Sequence, residues 1–159
     1  MLNVNIICIG SLKERYFTDA VNEYKKRLTR YCKINIIELS EEKIADKVSD
    51  AQIENTLKKE GEKILSKISS SDYVIAMCIE GKNLSSEELA KKIEEISMSS
   101  GTVDFVIGGS WGLSLEVKNR ADFKLSVSKM TFPHQLFRVM LCEQIYRAFS
   151  ITANAKYHK

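Results

Sequence analysis

Apolar residues in this chain fall into short runs of strand length, separated by longer stretches in which they recur every three or four positions. The runs are Val4–Ile9, Ile34–Leu39, Tyr73–Ile79, Val103–Ile107 and Phe123–Val127. The third and fourth are almost unbroken, as expected of central parallel strands covered on both faces. The stretches between them have helical spacing. The first places Phe17, Ala20, Val21, Tyr24 and Leu28 on one face. The second, about Ser49 to Ile68, turns Ile53, Leu57, Gly61, Ile64, Leu65 and Ile68 inward. A third starts at Ser85 and carries Leu89, Ile93 and Ile96, and a short one covers Leu115–Arg120. The last starts near Thr131-Phe132-Pro133, with proline in the first turn where its missing N–H costs nothing. It buries Leu136, Phe137, Met140, Leu141, Ile145, Ala148 and Phe149. Ser49 with Gln52, and Ser85 with Glu88, have the spacing of capping boxes.

This alternation predicts an α/β fold, a mostly parallel sheet with helices on both faces, forming a single domain over residues 1–159. Ser40–Asp50 is polar and reads as a loop. The opening residues read as a first strand, without the basic start and small-residue cleavage site of a signal peptide. No apolar run is long enough to span a bilayer. Four cysteines, Cys8, Cys32, Cys78 and Cys142, form no C-x-x-C pair, and there are two histidines. That argues against a zinc site and for a reducing, cytoplasmic compartment.

The net charge of +3 is unevenly spread. Residues from 104 onward carry a balance of +4, and the first 103 a balance of −1. A basic C-terminal third suits a polyanion, and equally an ordinary solvated surface.

Ligands of open α/β sheets sit beyond the carboxyl ends of the strands. Three such ends here are distinctive: Glu80-Gly81-Lys82, Gly108-Gly109-Ser110-Trp111-Gly112, and Ser128-Lys129-Met130-Thr131-Phe132-Pro133-His134. The glycines allow close backbone approach but match neither a Walker loop nor a dinucleotide fingerprint. A tight strand-to-helix turn explains them as well. Ser128–His134 offers backbone hydrogen bonds between apolar side chains, which suits a flat adenine ring. It also fits a hydrophobic staple at a helix start. Trp111 has two readings, stacking on a base or packing on a neighbouring subunit.

Three stretches together carry a resemblance: Phe105-Val-Ile-Gly-Gly-Ser-Trp-Gly-Leu113, Leu125-Ser-Val-Ser-Lys-Met-Thr-Phe-Pro-His134 and Arg138-Val-Met-Leu-Cys-Glu-Gln-Ile-Tyr-Arg-Ala-Phe149. Tyr157-His158-Lys159 at the end, and Gly10–Tyr16 with Glu23–Leu28 near the start, add to it. The chain resembles, over its whole length, the RlmH family of SPOUT-class RNA methyltransferases. The resemblance implies an α/β fold whose C-terminal segment forms a trefoil knot, and a homodimer that binds S-adenosylmethionine. It implies methylation of N3 of a pseudouridine in 23S rRNA within assembled ribosomes, with no metal and no membrane partner.

Carried onto this sequence, the cofactor site comprises Met77, Gly81, Gly109 and the segment Ser128, Lys129, Met130, Thr131, Phe132 and Pro133. His134, Arg147, Tyr157 and His158 are the candidate catalytic groups, since His titrates near neutrality and Arg can stabilise charge on a uracil carbonyl. Arg138, Glu143, Lys156 and Lys159 are the candidate RNA contacts. Glu143 lies four residues before Arg147 and can pair with it. Three rival readings stand beside this one: a SPOUT methyltransferase acting on tRNA, a non-catalytic nucleotide-binding module that uses Gly108–Gly112 as an anion nest, and a structural RNA-binding dimer that binds rRNA without S-adenosylmethionine.

Overall fold

A computed structural model describes residues 1–159. The elements follow in the order β1 (Asn3–Ile9), α1 (Arg15–Leu28), β2 (Lys33–Leu39), α2 (Asp50–Leu65), β3 (Tyr73–Asn83), α3 (Ser86–Ser99), β4 (Thr102–Ile107), α4 (Leu115–Arg120), β5 (Phe123–Ser126) and α5 (His134–Thr152). The five strands form one sheet in the order β2-β1-β4-β3-β5, and every pairing is parallel.

The unbroken apolar runs are explained by two cores. Alternate residues of a strand point to opposite faces. Val4, Ile6, Cys8, Val103, Phe105 and Ile107 enter a large core under α1, α3 and α5. Ile7, Ile9, Val74, Ala76 and Val106 enter a smaller one under α2 and α4. Both capping boxes form: Ser49 Oγ accepts from the Gln52 N–H, Ser85 Oγ from the Glu88 N–H, and each partner side chain reaches back. Pro133 stands one position earlier than expected, at the N-cap of α5.

Three expectations are corrected. The third strand was expected to end at Ile79 but continues to Asn83. After Met77 it bulges and pairs again, so that Met77 and Lys82 both lie opposite Leu125. The inward face of α2 is centred on Thr56, Glu60, Gly61 and Ile64, so two of its buried positions are polar. Leu136, expected inside, is 38% exposed, and Arg138, two residues on and so on the opposite side of α5, is buried. No helix is long and apolar enough to cross a membrane.

Candidate functional site

The ends of β3, β4 and β5 converge, as expected, on one cavity of about 610 Å³. Its apolar lining comes from Met77, Ile107, Leu113, Leu125, Phe132 and Phe137. The volume falls within the usual range for small-molecule sites, about 300–1,000 Å³. Two loops complete it: residues 108–112 after β4, and Ser126 at the end of β5 with residues 127, 128 and 130–132 beyond it.

The glycine loop closes on itself. Gly109 and Gly112 form an isolated bridge, with the Gly112 N–H donating to the Gly109 carbonyl at 3.1 Å. Gly112 has φ of +85°, a conformation only glycine adopts freely. A side chain at Gly109 would meet Glu60 Oε1 at 2.9 Å and Ile9 at 3.1 Å. That glycine is therefore required by protein packing behind the loop. Glu60 itself is 3% exposed, and burial raises the pKa of its carboxyl. Its Oε2 accepts from the Glu42 N–H at 3.0 Å, while Oε1 has no partner. After β5, Ser126 Oγ donates to the Ser128 carbonyl at 2.9 Å, and Ser128 Oγ accepts from the Met130 N–H at 3.0 Å. These bonds hold the loop open with Met130 and Thr131 exposed at its rim.

Of the expected cofactor residues, Met77, Gly109, Ser128, Met130, Thr131 and Phe132 line the cavity, and so does His134. Gly81, Lys129 and Pro133 do not. Gly81 is required for another reason: a Cβ there would lie 2.7 Å from the Leu125 backbone, because the residues between Met77 and Lys82 bulge against β5. Lys129 points to solvent and Pro133 caps α5. Trp111 lines the cavity at 46% exposure. Glu80, at the distinctive end of the third strand, lines it too, whereas Ile79 and Lys118 were not anticipated. Lys118 pairs with Glu80 at the rim and lowers the pKa of that carboxyl.

The C-terminal candidates assemble elsewhere. Glu143 Oε1 accepts from Arg147 Nε at 2.9 Å and from the Tyr157 hydroxyl at 3.1 Å. The Arg147 guanidinium lies 4.8 Å from the Tyr157 ring centroid and 3.3 Å from His158 Nδ1, and His158 Nε2 meets Glu87 Oε1 at 2.7 Å. Burial, aided by Tyr24 and Glu143, raises the Tyr157 hydroxyl to about 12, so it is a hydrogen-bond donor rather than a base. None of these residues lines the cavity. His134 and Arg147 are separated by thirteen residues of α5, or about 20 Å at 1.5 Å per residue.

Two expected RNA contacts are corrected. Arg138 is 2% exposed, pairing with Glu38 Oε2 at 2.6 Å and donating to the Gly10 carbonyl at 3.1 Å, so it offers no surface to a phosphate. Glu143 holds the tail by binding Arg147 and Tyr157. Lys156 and Lys159 are exposed.

Comparison with known proteins agrees with this architecture. The family model described as predicted SPOUT methyltransferase matches residues 2–158. A protein of Clostridium acetobutylicum named ribosomal RNA large subunit methyltransferase H is 54% identical over 159 residues, spanning 99% of this chain and 100% of its own. One of the same name from Clostridioides difficile is 50% identical with the same coverage. Among solved structures, a probable methylase family protein from Haemophilus influenzae superimposes with a TM-score of 0.55 at 15% identity. That match covers 99% of this chain and 71% of the other.

Proposed function

The chain belongs to the SPOUT methyltransferase family, and from that membership we propose that it methylates large-subunit ribosomal RNA. The donor is S-adenosylmethionine, and the acceptor is N3 of a pseudouridine in 23S rRNA within the assembled ribosome. The observation that carries the reading is the convergence of three strand-end loops on one apolar cavity rimmed by backbone groups. The residues present fit the donor. Apolar side chains of Leu125, Phe132 and Phe137 suit the faces of an adenine ring, and the 126–132 backbone suits its edge. The C-terminal trefoil knot expected of this class is part of the reading; β3 bulges and pairs again with β5 at Leu125 in this region.

When bound, S-adenosylmethionine supplies a methyl group on a positively charged sulfur. The protein's part is alignment, because fixing two reactants in an attack geometry removes most of the entropic barrier. His134, at the cavity wall, receives the proton that N3 gives up. Arg147, oriented by Glu143, stabilises the negative charge that develops on the uracil carbonyls.

The 20 Å between His134 and Arg147 prevents one chain from bringing both to a single base. We therefore read the enzyme as a cytoplasmic homodimer in which the tail of one copy, with Arg147, Tyr157 and His158, completes the cavity of the other. Lys156 and Lys159 then face the RNA backbone. Transfer of tritiated methyl to ribosomes from a strain lacking this modification, with the labelled nucleoside mapped, tests the proposal. Labelling of free tRNA in place of ribosomes supports the tRNA reading. No labelling of either, together with tight binding of ATP, supports the nucleotide-binding module.

A further inference from the structure

A second cavity, of about 350 Å³, opens beside the first at the carboxyl ends of β1 and β2 and the first turns of α5. The two share Gly109, Ser110 and His134 as a common wall. Their chemistry is opposite. Ile9 and Leu39 are the only apolar side chains in the second cavity, whereas about half of those in the first are apolar.

The charges in it balance, Lys13 and Arg138 against Glu38 and Glu41. Arg138 spends two of its nitrogens on Glu38 and the Gly10 carbonyl, and its buried Nε has no partner. Gln135 Oε1 accepts from the backbone N–H groups of Lys13, at 2.9 Å, and Glu14, at 3.4 Å, which fixes the amide and leaves its NH2 free to donate. The Ser11 hydroxyl and the Lys13 ammonium are also uncommitted. A phosphate or carboxylate is best held by uncompensated cations. Balanced charge with free donors and acceptors instead suits a neutral polar ring carrying both C=O and N–H groups.

We propose that this cavity receives the acceptor base, a uracil-type ring, with Ser11, Lys13 and Gln135 donating to its carbonyls. The assignment rests on the methyl-transfer reading above and gives that reaction a second subsite. A ring here meets the donor cavity where the two adjoin, at Gly109, Ser110 and His134, which line both. As the N–CH3 bond forms and the S–CH3 bond breaks, the breaking bond's electron pair stays on sulfur. The ring N–H proton passes to the His134 imidazole and then to solvent. Charge left on the ring spreads to the carbonyl oxygens, where the three donors meet it.

The test uses the full-length enzyme, ribosomes lacking the modification, and three readouts: methyl transfer, S-adenosylmethionine affinity by calorimetry, and dimer mass by light scattering. Ser11→Trp fills the cavity. It is expected to keep donor affinity and dimer mass while losing about 100-fold or more in kcat/KM for ribosomes. Gln135→Glu, which fills nothing and keeps the acceptor for the Lys13 and Glu14 N–H groups, removes one donor. It is expected to cost about tenfold in kcat/KM, the size of one hydrogen bond, with donor affinity unchanged. Wild-type methylation rates in both variants overturn the assignment and leave the enzyme reading intact. Loss of dimer mass in Ser11→Trp makes the cavity a contact between copies and overturns it too. If the wild-type protein labels nothing, the methyl-transfer reading fails and the assignment falls with it.

Discussion

Two inactive variants mixed together should recover activity, and the expected amount follows from geometry. Arg147 lies about 20 Å along α5 from His134, and no residue of the tail cluster reaches the donor cavity of its own chain. On the proposed homodimer reading, a complete site needs the donor cavity of one copy and the tail of another. Thr131→Trp blocks the cavity from its exposed rim and leaves the tail intact. Arg147→Ala removes the tail cation and leaves the cavity intact. Each homodimer has two broken sites. After denaturation together and refolding at equal concentrations, about half of the dimers are mixed. In each mixed dimer one site carries both lesions and the other carries neither. The mixture is thus expected to reach about a quarter of wild-type methyl transfer, from two preparations that separately show almost none. The assay is label transfer to ribosomes against a wild-type sample refolded in the same way. Activity that stays at the level of the separate variants, in a sample shown by mass to contain mixed dimers, refutes the shared site.

Other consequences follow from single buried groups. Asp104 is fully buried, and burial, more than its neighbours, raises its carboxyl from 3.8 to about 6. The folded chain then holds a proton that the unfolded chain releases, so this group's contribution to stability is whole below about pH 4 and is lost as pH rises through about 6. Asp104→Asn should remove that slope and stabilise the protein at neutral pH, and urea unfolding at several pH values would show parallel curves for the two proteins if the argument is wrong. Gly81→Ala places a methyl within 2.8 Å of the Leu125 and Lys124 backbone. A cost of about 1–3 kcal/mol, with weaker donor binding because Leu125 lines the cavity, is expected from thermal unfolding and calorimetry. Glu143→Gln should release the Tyr157 hydroxyl and Arg147 together, so hydrogen exchange at residues 155–159 should rise while donor affinity stays constant.

All five strands and all five helices were legible in the sequence, because burial on one or both faces writes itself as period 2, period 3.6 or an unbroken run. The convergence of three strand ends was legible for the same reason, since carboxyl ends of parallel strands share one edge. What escaped was anything decided by partners distant in the chain. Arg138 reads as a surface cation until Glu38, one hundred residues earlier, is brought against it. Glu60 reads as part of a solvated face because nothing local shows that Gly109 will press on it. The extension of β3 carries Glu80 and Lys82, so its polar residues hide a strand that pairs beyond a bulge. The composition of the tail was visible as chemistry, but its separation from the cavity depends on the straight run of α5.

The position of the glycine loop explains why residues 40–42, which follow β2, are tied down. Lys63 Nζ pairs with Glu42 Oε1 at 2.7 Å and donates to the Ser40 carbonyl at 2.9 Å. Glu42 in turn gives its N–H to Glu60, and Glu41 accepts from Ser110 Oγ at 3.1 Å. The stretch is therefore tied to α2 on one side and to the glycine loop on the other. Since Gly109 and Ser110 line both the apolar cavity and the polar one, these bonds fix the residues at which the two adjoin. Methyl transfer fails if donor and acceptor drift by an ångström. A loop built from three glycines keeps its place only when something outside it supplies the rigidity. Here a helix carrying a buried carboxylate does so, which accounts for an acid that no chemistry of the donor cavity requires.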